Sequence, residues 1–169
     1  MKVTLYMATS IDGYIAKKDD NTSWVSTADW GIFSTMVKDA NCIVMGRRTY
    51  EVSGEDFPYD CALNIVMTSD TSLKNESAHV LFTGATPVGV VAIAKEKGFE
   101  RLLIIGGGKI NGAFLKARLI DDIYLSVHPK ILGEGIRLFA NGEHDIDLEL
   151  IGTRQLEQGL VQLHYALKK

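Results

Sequence analysis

The chain has 169 residues, 46% of them hydrophobic, enough to enclose the core of one domain spanning 1–169 and too few for two packed ones. Eighteen Lys and Arg against 21 Asp and Glu leave a formal charge of -3 with no basic block, which argues against a nucleic-acid partner. The longest apolar runs, 102–105 and 88–93, fall far short of the roughly 20 residues that span a bilayer. Thr4, Thr9, Ser10 and Asp12 interrupt any signal-peptide core, so no membrane contact and a cytoplasmic location are expected.

In chain order, short β-branched runs alternate with helical stretches. Strands are predicted over 3–8, 42–45, 64–67, 80–82, 102–105, 123–128, 148–154 and 160–167, and helices over 27–38, 48–52, 88–97 and 110–117. The middle strands Cys42-Ile43-Val44-Met45 and Leu102-Leu103-Ile104-Ile105 are apolar throughout, as a parallel sheet covered on both faces requires. At the C-terminus Val161, Leu163, Tyr165 and Leu167 alternate with Gln162 and His164 after the turn signal Gln158-Gly159, which predicts an antiparallel hairpin. The fold class is therefore three-layer α/β, a mostly parallel sheet with helices on both faces and a C-terminal antiparallel hairpin. Ligands of such sheets bind beyond the carboxyl ends of the strands.

The strand ends carry the polar motifs. The first strand exits into Asp12-Gly13, a turn dipeptide. Ser26-Thr27-Ala28-Asp29 fits a capping box at the start of the first helix, while Asp29 is also the carboxylate best placed to donate a proton. The second strand runs into Gly46-Arg47-Arg48-Thr49-Tyr50. Cations at a helix start oppose its dipole, and an anionic ligand held by the Arg forks resolves that conflict, a solvated Arg pair being the alternative. Thr68-Ser69-Asp70 suits a ribose or phosphate, or simply a turn. Gly106-Gly107-Gly108 lets backbone approach a ligand at a helix N-terminus, although a tight connection alone would also use glycine.

Neither Cys42 nor Cys61 belongs to a C-x-x-C, no histidine has metal-ligand spacing, and Ser10, Ser26 and Ser126 lack a G-x-S-x-G context, so no metal and no hydrolase triad are expected. Both cysteines read as small buried hydrophobes, and the sequons at Asn21 and Asn75 as chance matches.

Taken together, Ala8-Thr9-Ser10-Ile11-Asp12-Gly13-Tyr14-Ile15, Gly46-Arg47-Arg48-Thr49-Tyr50-Glu51, Met67-Thr68-Ser69 and Ile105-Gly106-Gly107-Gly108-Lys109-Ile110 resemble the dihydrofolate reductase superfamily over nearly the whole chain. The spacing Gly106-Gly107-Gly108-x-x-Asn111-x-x-Phe114-Leu115, with Leu119-Ile120-Asp121-Asp122 and Pro129-x-x-Leu132-Gly133-x-Gly135, is similar to the reductase domain of the bifunctional riboflavin-biosynthesis deaminase-reductase, here as a stand-alone copy without the deaminase zinc signature. The resemblance implies NADPH as cofactor and hydride transfer to a small heterocycle, in the manner of 5-amino-6-(5-phosphoribosylamino)uracil reductase. A dihydrofolate or pterin reductase, or an NADPH-binding module without turnover, is the alternative.

Carried onto this chain, the resemblance puts Ala8 and Ile15 against the nicotinamide and Arg47, Thr68 and Ser69 at the 2'-phosphate and adenosine ribose. It puts Arg48 and Thr49 at the pyrophosphate, with Gly46, Ile105, Gly106, Gly107, Gly108, Lys109 and Ile110 completing the cradle. Asp29 would be catalytic, one position out of register with the acid of folate-reducing members, and Asp12, Trp24, Ser26 and Ser126 would face substrate. The segment Cys61-Ala62-Leu63-Asn64 offers no cation for a folate tail, and no residue is identifiable as the cationic site that a phosphoribosyl substrate would want. A homodimer is implied, with the C-terminal strands contributing.

Overall fold

A computed structural model describes residues 1–74, 77–140, 142 and 144–168. The sequon at Asn75 lies outside the described residues. Among the described residues ten strands and four α-helices follow one another as β1 (Lys2–Ser10), β2 (Tyr14–Ala16), α1 (Thr27–Ala40), β3 (Cys42–Gly46), α2 (Arg47–Ser53), β4 (Leu63–Met67), β5 (Val80–Thr83), α3 (Pro87–Glu96), β6 (Arg101–Ile104), α4 (Gly108–Lys116), β7 (Asp122–His128), β8 (Ile136–Arg137), β9 (Leu148–Gln155) and β10 (Val161–Leu167). Eight strands form one sheet in the order β5-β4-β3-β6-β1-β7-β10-β9. Every neighbouring pair from β5 to β7 is parallel, whereas β10 runs antiparallel to both β7 and β9. The mostly parallel sheet with its antiparallel hairpin is thus the architecture the periodicity predicts.

Strand alternation divides the core between the two faces of the sheet. Val3, Leu5, Val44, Ile65 and Ile104 pack with Val90 and Ala94 of α3 and Phe114 and Leu115 of α4. On the opposite face Tyr6, Ile43, Met45, Val66 and Leu103 pack with Val37 of α1 and a layer of half-buried aromatic rings. Helix α3 starts as its sequence directs: the Thr86 side chain accepts from the Gly89 N–H and Pro87 occupies the first turn, where no N–H is needed.

Three features differ from the periodicity. Gly108 and Arg47 already belong to their helices, so α4 and α2 begin two residues and one residue earlier than 110 and 48. The short strands β2 and β8 form a separate antiparallel pair, too brief for a period-2 signal. In β10, Gln162 is buried and Val161 exposed, inverting the expected sides, because Gln162 pairs with Ser126 of β7 and donates to its hydroxyl at 3.5 Å. The polar side of this strand faces a buried polar network, and the apolar side of its first residue faces outward.

Phe114 is the largest fully buried side chain. Phe114→Ala is expected to destabilise the fold by about 3–5 kcal/mol, read as a lowered urea midpoint.

Candidate active site

Parallel pairing delivers the carboxyl ends of β1, β3, β4 and β6 to one rim, and a cleft of about 1020 Å³ opens there. Gly46, Arg47, Arg48 and Thr49 from the β3–α2 junction line it, together with Thr68 and Ser69 after β4 and Ile105, Gly107, Gly108, Lys109 and Ile110 at the start of α4. Ala8 and Ile15 form the wall contributed by β1 and β2, and Ser26 and Asp29 enter from α1. Asp12, Trp24, Gly106 and Ser126 do not line it among the described residues.

The glycine run has a steric reason. A side chain at Gly108 would place its Cβ 2.3 Å from the Arg137 carbonyl oxygen, and one at Gly107 would lie 3.3 Å from Thr49 Oγ1. Gly106, at φ +104°, has a backbone that other residues rarely adopt, and its carbonyl accepts from the Gly46 N–H at 2.9 Å. That bond ties the two loops together at the sheet's rim. The Gly106–Gly107 peptide is cis. The α4 N-terminus therefore presents bare backbone to the cleft, a surface suited to an anion.

The arginines are engaged. Arg47 pairs with Glu51 at 3.0 Å and Asp70 at 3.4 Å, and Arg48 with Asp20 at 2.6 Å. These carboxylates meet the dipole conflict without a ligand. Both guanidinium groups are at least half exposed, so such pairs contribute little and exchange readily for phosphate oxygens.

At the other end of the cleft the chemistry changes. Ser26 caps α1 and its Oγ accepts from the Asp29 N–H at 3.3 Å, which is half of the expected capping box. The reciprocal bond is replaced: the Ser26 N–H donates to His128 Nε2 at 3.1 Å, while His128 Nδ1 lies 3.0 Å from the Ser126 carbonyl oxygen. A carbonyl only accepts, so Nδ1 carries the hydrogen and the imidazole is neutral. This frees the Asp29 carboxylate, which is buried and accepts from the Tyr6 hydroxyl at 2.5 Å. Burial first, then the Asp29 charge, pushes the Tyr6 phenol well above its usual range, so it remains a donor. Ser126 Oγ sits 3.0 Å behind that hydroxyl and connects it to Gln162. Ser126 thus belongs to the support beneath Tyr6, and sequence reasoning did not find Tyr6 because it lies in an apolar strand pattern.

Aromatic rings complete this end. Phe33 lies 5.9 Å from Tyr6, 5.2 Å from Trp30 and 5.3 Å from Tyr59, centroid to centroid. Tyr59 is pinned through its backbone, because Asn64 Oδ1 accepts from its N–H and Asn64 Nδ2 donates to its carbonyl, each at 3.0 Å. Its hydroxyl lies 2.9 Å from Ser53 Oγ.

Asp12 and Trp24 hold loops. Trp24 packs edge-on against His128 at 5.2 Å. The Asp12 carboxylate accepts from the Leu132 N–H at 3.1 Å and the Gly133 N–H at 2.7 Å, fastening 129–135 to the β1–β2 turn. The nearby Ser10 hydroxyl, then these N–H groups, pulls its pKa from 3.8 down to about 2.

A mostly parallel α/β sheet thus carries a two-ended cleft at its carboxyl rim, an arginine- and glycine-lined end facing a carboxylate and aromatic end. The chain belongs to the RibD C-terminal domain family, whose model matches residues 1–162. It is 35% identical to the uncharacterized protein YwjB of Bacillus subtilis (strain 168) over 97% of each chain. Its structure superposes with a TM-score of 0.83 on a Shewanella sp. PV-4 protein named for riboflavin biosynthesis, 28% identical and covering all of both chains. It superposes at 0.79 on a Thermotoga maritima deaminase and 5-amino-6-(5-phosphoribosylamino)uracil reductase, 16% identical, covering 99% of this chain and 56% of that one.

Two outcomes test the geometry. Gly108→Ala should lower the melting temperature, since backbone must move to admit the methyl group. Because the Asp12 pKa is depressed, its contribution is present above pH 3.8 and lost as pH falls toward about 2. Stability of Asp12→Asn should show less of that acid loss in a pH series followed by circular dichroism.

Proposed function

We propose that the protein is an NADPH-dependent reductase that delivers hydride to a small heterocyclic substrate bound at the aromatic end of the cleft. The observation that carries this reading is the convergence of Arg47, Thr68 and Gly107, from three separate strand ends, on one cleft. Its volume lies at the upper end of the roughly 300–1,000 Å³ typical of small-molecule sites, room for a dinucleotide beside a second ligand. The site also fits the nucleotide chemically: bare backbone at Gly107 and Gly108 accommodates a pyrophosphate, and Arg47 with Ser69 and Thr68 suits the 2'-phosphate and ribose. Arg48 and Thr49 would support the pyrophosphate, with Gly46, Gly106, Lys109 and Ile110 shaping that cradle and Ile105 flooring it. Ala8 and Ile15 would then flank the nicotinamide, whose C4 supplies hydride when bound.

Asp29 is the group that handles the proton. Its Oδ1 is taken by the Tyr6 O–H, so a proton carried by this carboxyl group sits on Oδ2. Tyr6, Ser126 and Gln162 form a row of donors ending on Oδ1, which fixes the carboxylate's orientation. Ser26 holds the helix turn that carries it.

A homodimer suits the far edge of the sheet. On β9, the last strand in the sheet order, the side chains of Leu148, Leu150 and Ile151 are exposed. Burial pushes the thiols of Cys42 up to about 12 and Cys61 up to about 11, which keeps them protonated and unreactive.

Saturating NADPH is expected to raise the melting temperature, and no shift would refute the reading. Arg47→Ala should weaken NADPH by about 1.5–3 kcal/mol and NADH little, measured by calorimetry. Equal losses would remove the 2'-phosphate assignment. Asp29→Asn should lower kcat by about 100-fold or more while leaving the NADPH dissociation constant unchanged.

A further inference from the structure

The reductase reading leaves the substrate class open, and the lining of the aromatic end narrows it. Indole Trp30 is 44% exposed although it packs against Phe33 and Tyr59, so its ring offers a flat apolar face at the cleft wall. Val52, also exposed, lies at the same end of α2 and lines the cleft. Exposed rings and aliphatic groups at a cleft mouth are suited to a planar ligand that stacks on them. The charged groups at this end are the Asp29 and Asp56 carboxylates.

The cations lining the cleft, among the described residues, are Arg47, Arg48, Lys109 and Arg137. Arg137 belongs to β8 and the others to the first turns of α2 and α4, Arg48 standing one helical turn before Val52. In the proposed complex Arg48 turns from Asp20 to the pyrophosphate, and the Arg137 guanidinium lies over the Tyr14 ring at 5.6 Å from its centroid. Arg47 and Lys109 stand at the α2 and α4 N-termini. A phosphate on the substrate would therefore meet two carboxylates and a hydrophobic wall, where repulsion and desolvation both oppose it.

We infer, resting on the reductase reading, that the substrate is a planar heteroaromatic compound without a phosphate group, recognised by stacking on Trp30 and by polar contacts to carboxylate oxygen. The charge pattern then divides two ligands in one cleft. The phosphorylated nucleotide takes the cationic end and the uncharged ring takes the acidic end. On this reading the chain departs from the phosphorylated substrate named for its Thermotoga maritima structural neighbour, even though the fold is shared.

The test is a matched pair: 5-amino-6-(5-phosphoribosylamino)uracil and the same compound after phosphatase removal of its phosphate. Calorimetric titration into the protein saturated with NADP⁺ is expected to show the phosphate-free compound binding at least tenfold more tightly. Asp56→Lys should narrow that gap by strengthening binding of the phosphorylated form, and Trp30→Ala should weaken both forms alike. Equal or tighter binding of the phosphorylated compound by the unaltered protein would overturn the inference. A missing NADPH melting shift would instead remove the reductase reading.

Discussion

Parallel pairing of β3 with β4 and β6, and of β6 with β1, sends four strand ends to the same side of the sheet. Residues far apart in sequence, Ala8, Gly46, Thr68 and Ile105, become neighbours without any need for long loops. The same constraint explains why Cys42-Ile43-Val44-Met45 of β3 and Leu102-Leu103-Ile104 of β6 are apolar and the junctions that follow them are polar. Buried strands covered on both faces have no place for charge, so functional groups concentrate where the backbone leaves the sheet. The Gly46 N–H to Gly106 carbonyl bond locks two of these junctions at a fixed separation, and close approach of the Arg137 carbonyl oxygen makes Gly108 obligatory.

The cleft joins two electrostatic environments. One end combines bare helix N-terminal backbone with exposed guanidinium groups whose present partners are surface carboxylates. The other holds a buried carboxylate whose orientation depends on Tyr6, and whose helix turn depends on Ser26 and the neutral imidazole of His128. The Asp29 carboxylate is spared from capping its own helix because an imidazole from β7 accepts the N–H it would otherwise satisfy. A structural bond between β7 and the start of α1 thereby leaves this carboxylate to Tyr6.

How legible this was differs between the two ends. The glycine- and arginine-lined end is built from contiguous segments, Gly46-Arg47-Arg48-Thr49 and Gly106-Gly107-Gly108, whose residue types conflict with a purely structural role, and that conflict is visible in one dimension. The aromatic end is assembled from single residues on different elements. Tyr6 looks like one more apolar strand residue, and Trp30 and Phe33 look like the buried face of a helix. Only tertiary structure shows that Tyr6 meets Asp29 and that Tyr59 is fixed by Asn64 from a neighbouring strand. Likewise, Gln162 reads as the solvent side of a strand until its partner Ser126 is known. Asp12 illustrates the opposite case, a strong turn signal whose carboxylate fastens a second loop more than a hundred residues away.

The central claim is that the rim formed by these junctions holds a phosphorylated dinucleotide. The most direct measurement is a crystal structure of the protein soaked with NADPH. The account predicts continuous density along the rim, with the 2'-phosphate at Arg47 and Ser69, the pyrophosphate against Gly107 and Gly108, and the nicotinamide between Ala8 and the Asp29 end. Density for the nucleotide elsewhere on the molecule, or a rim that stays empty at saturating NADPH, would contradict it.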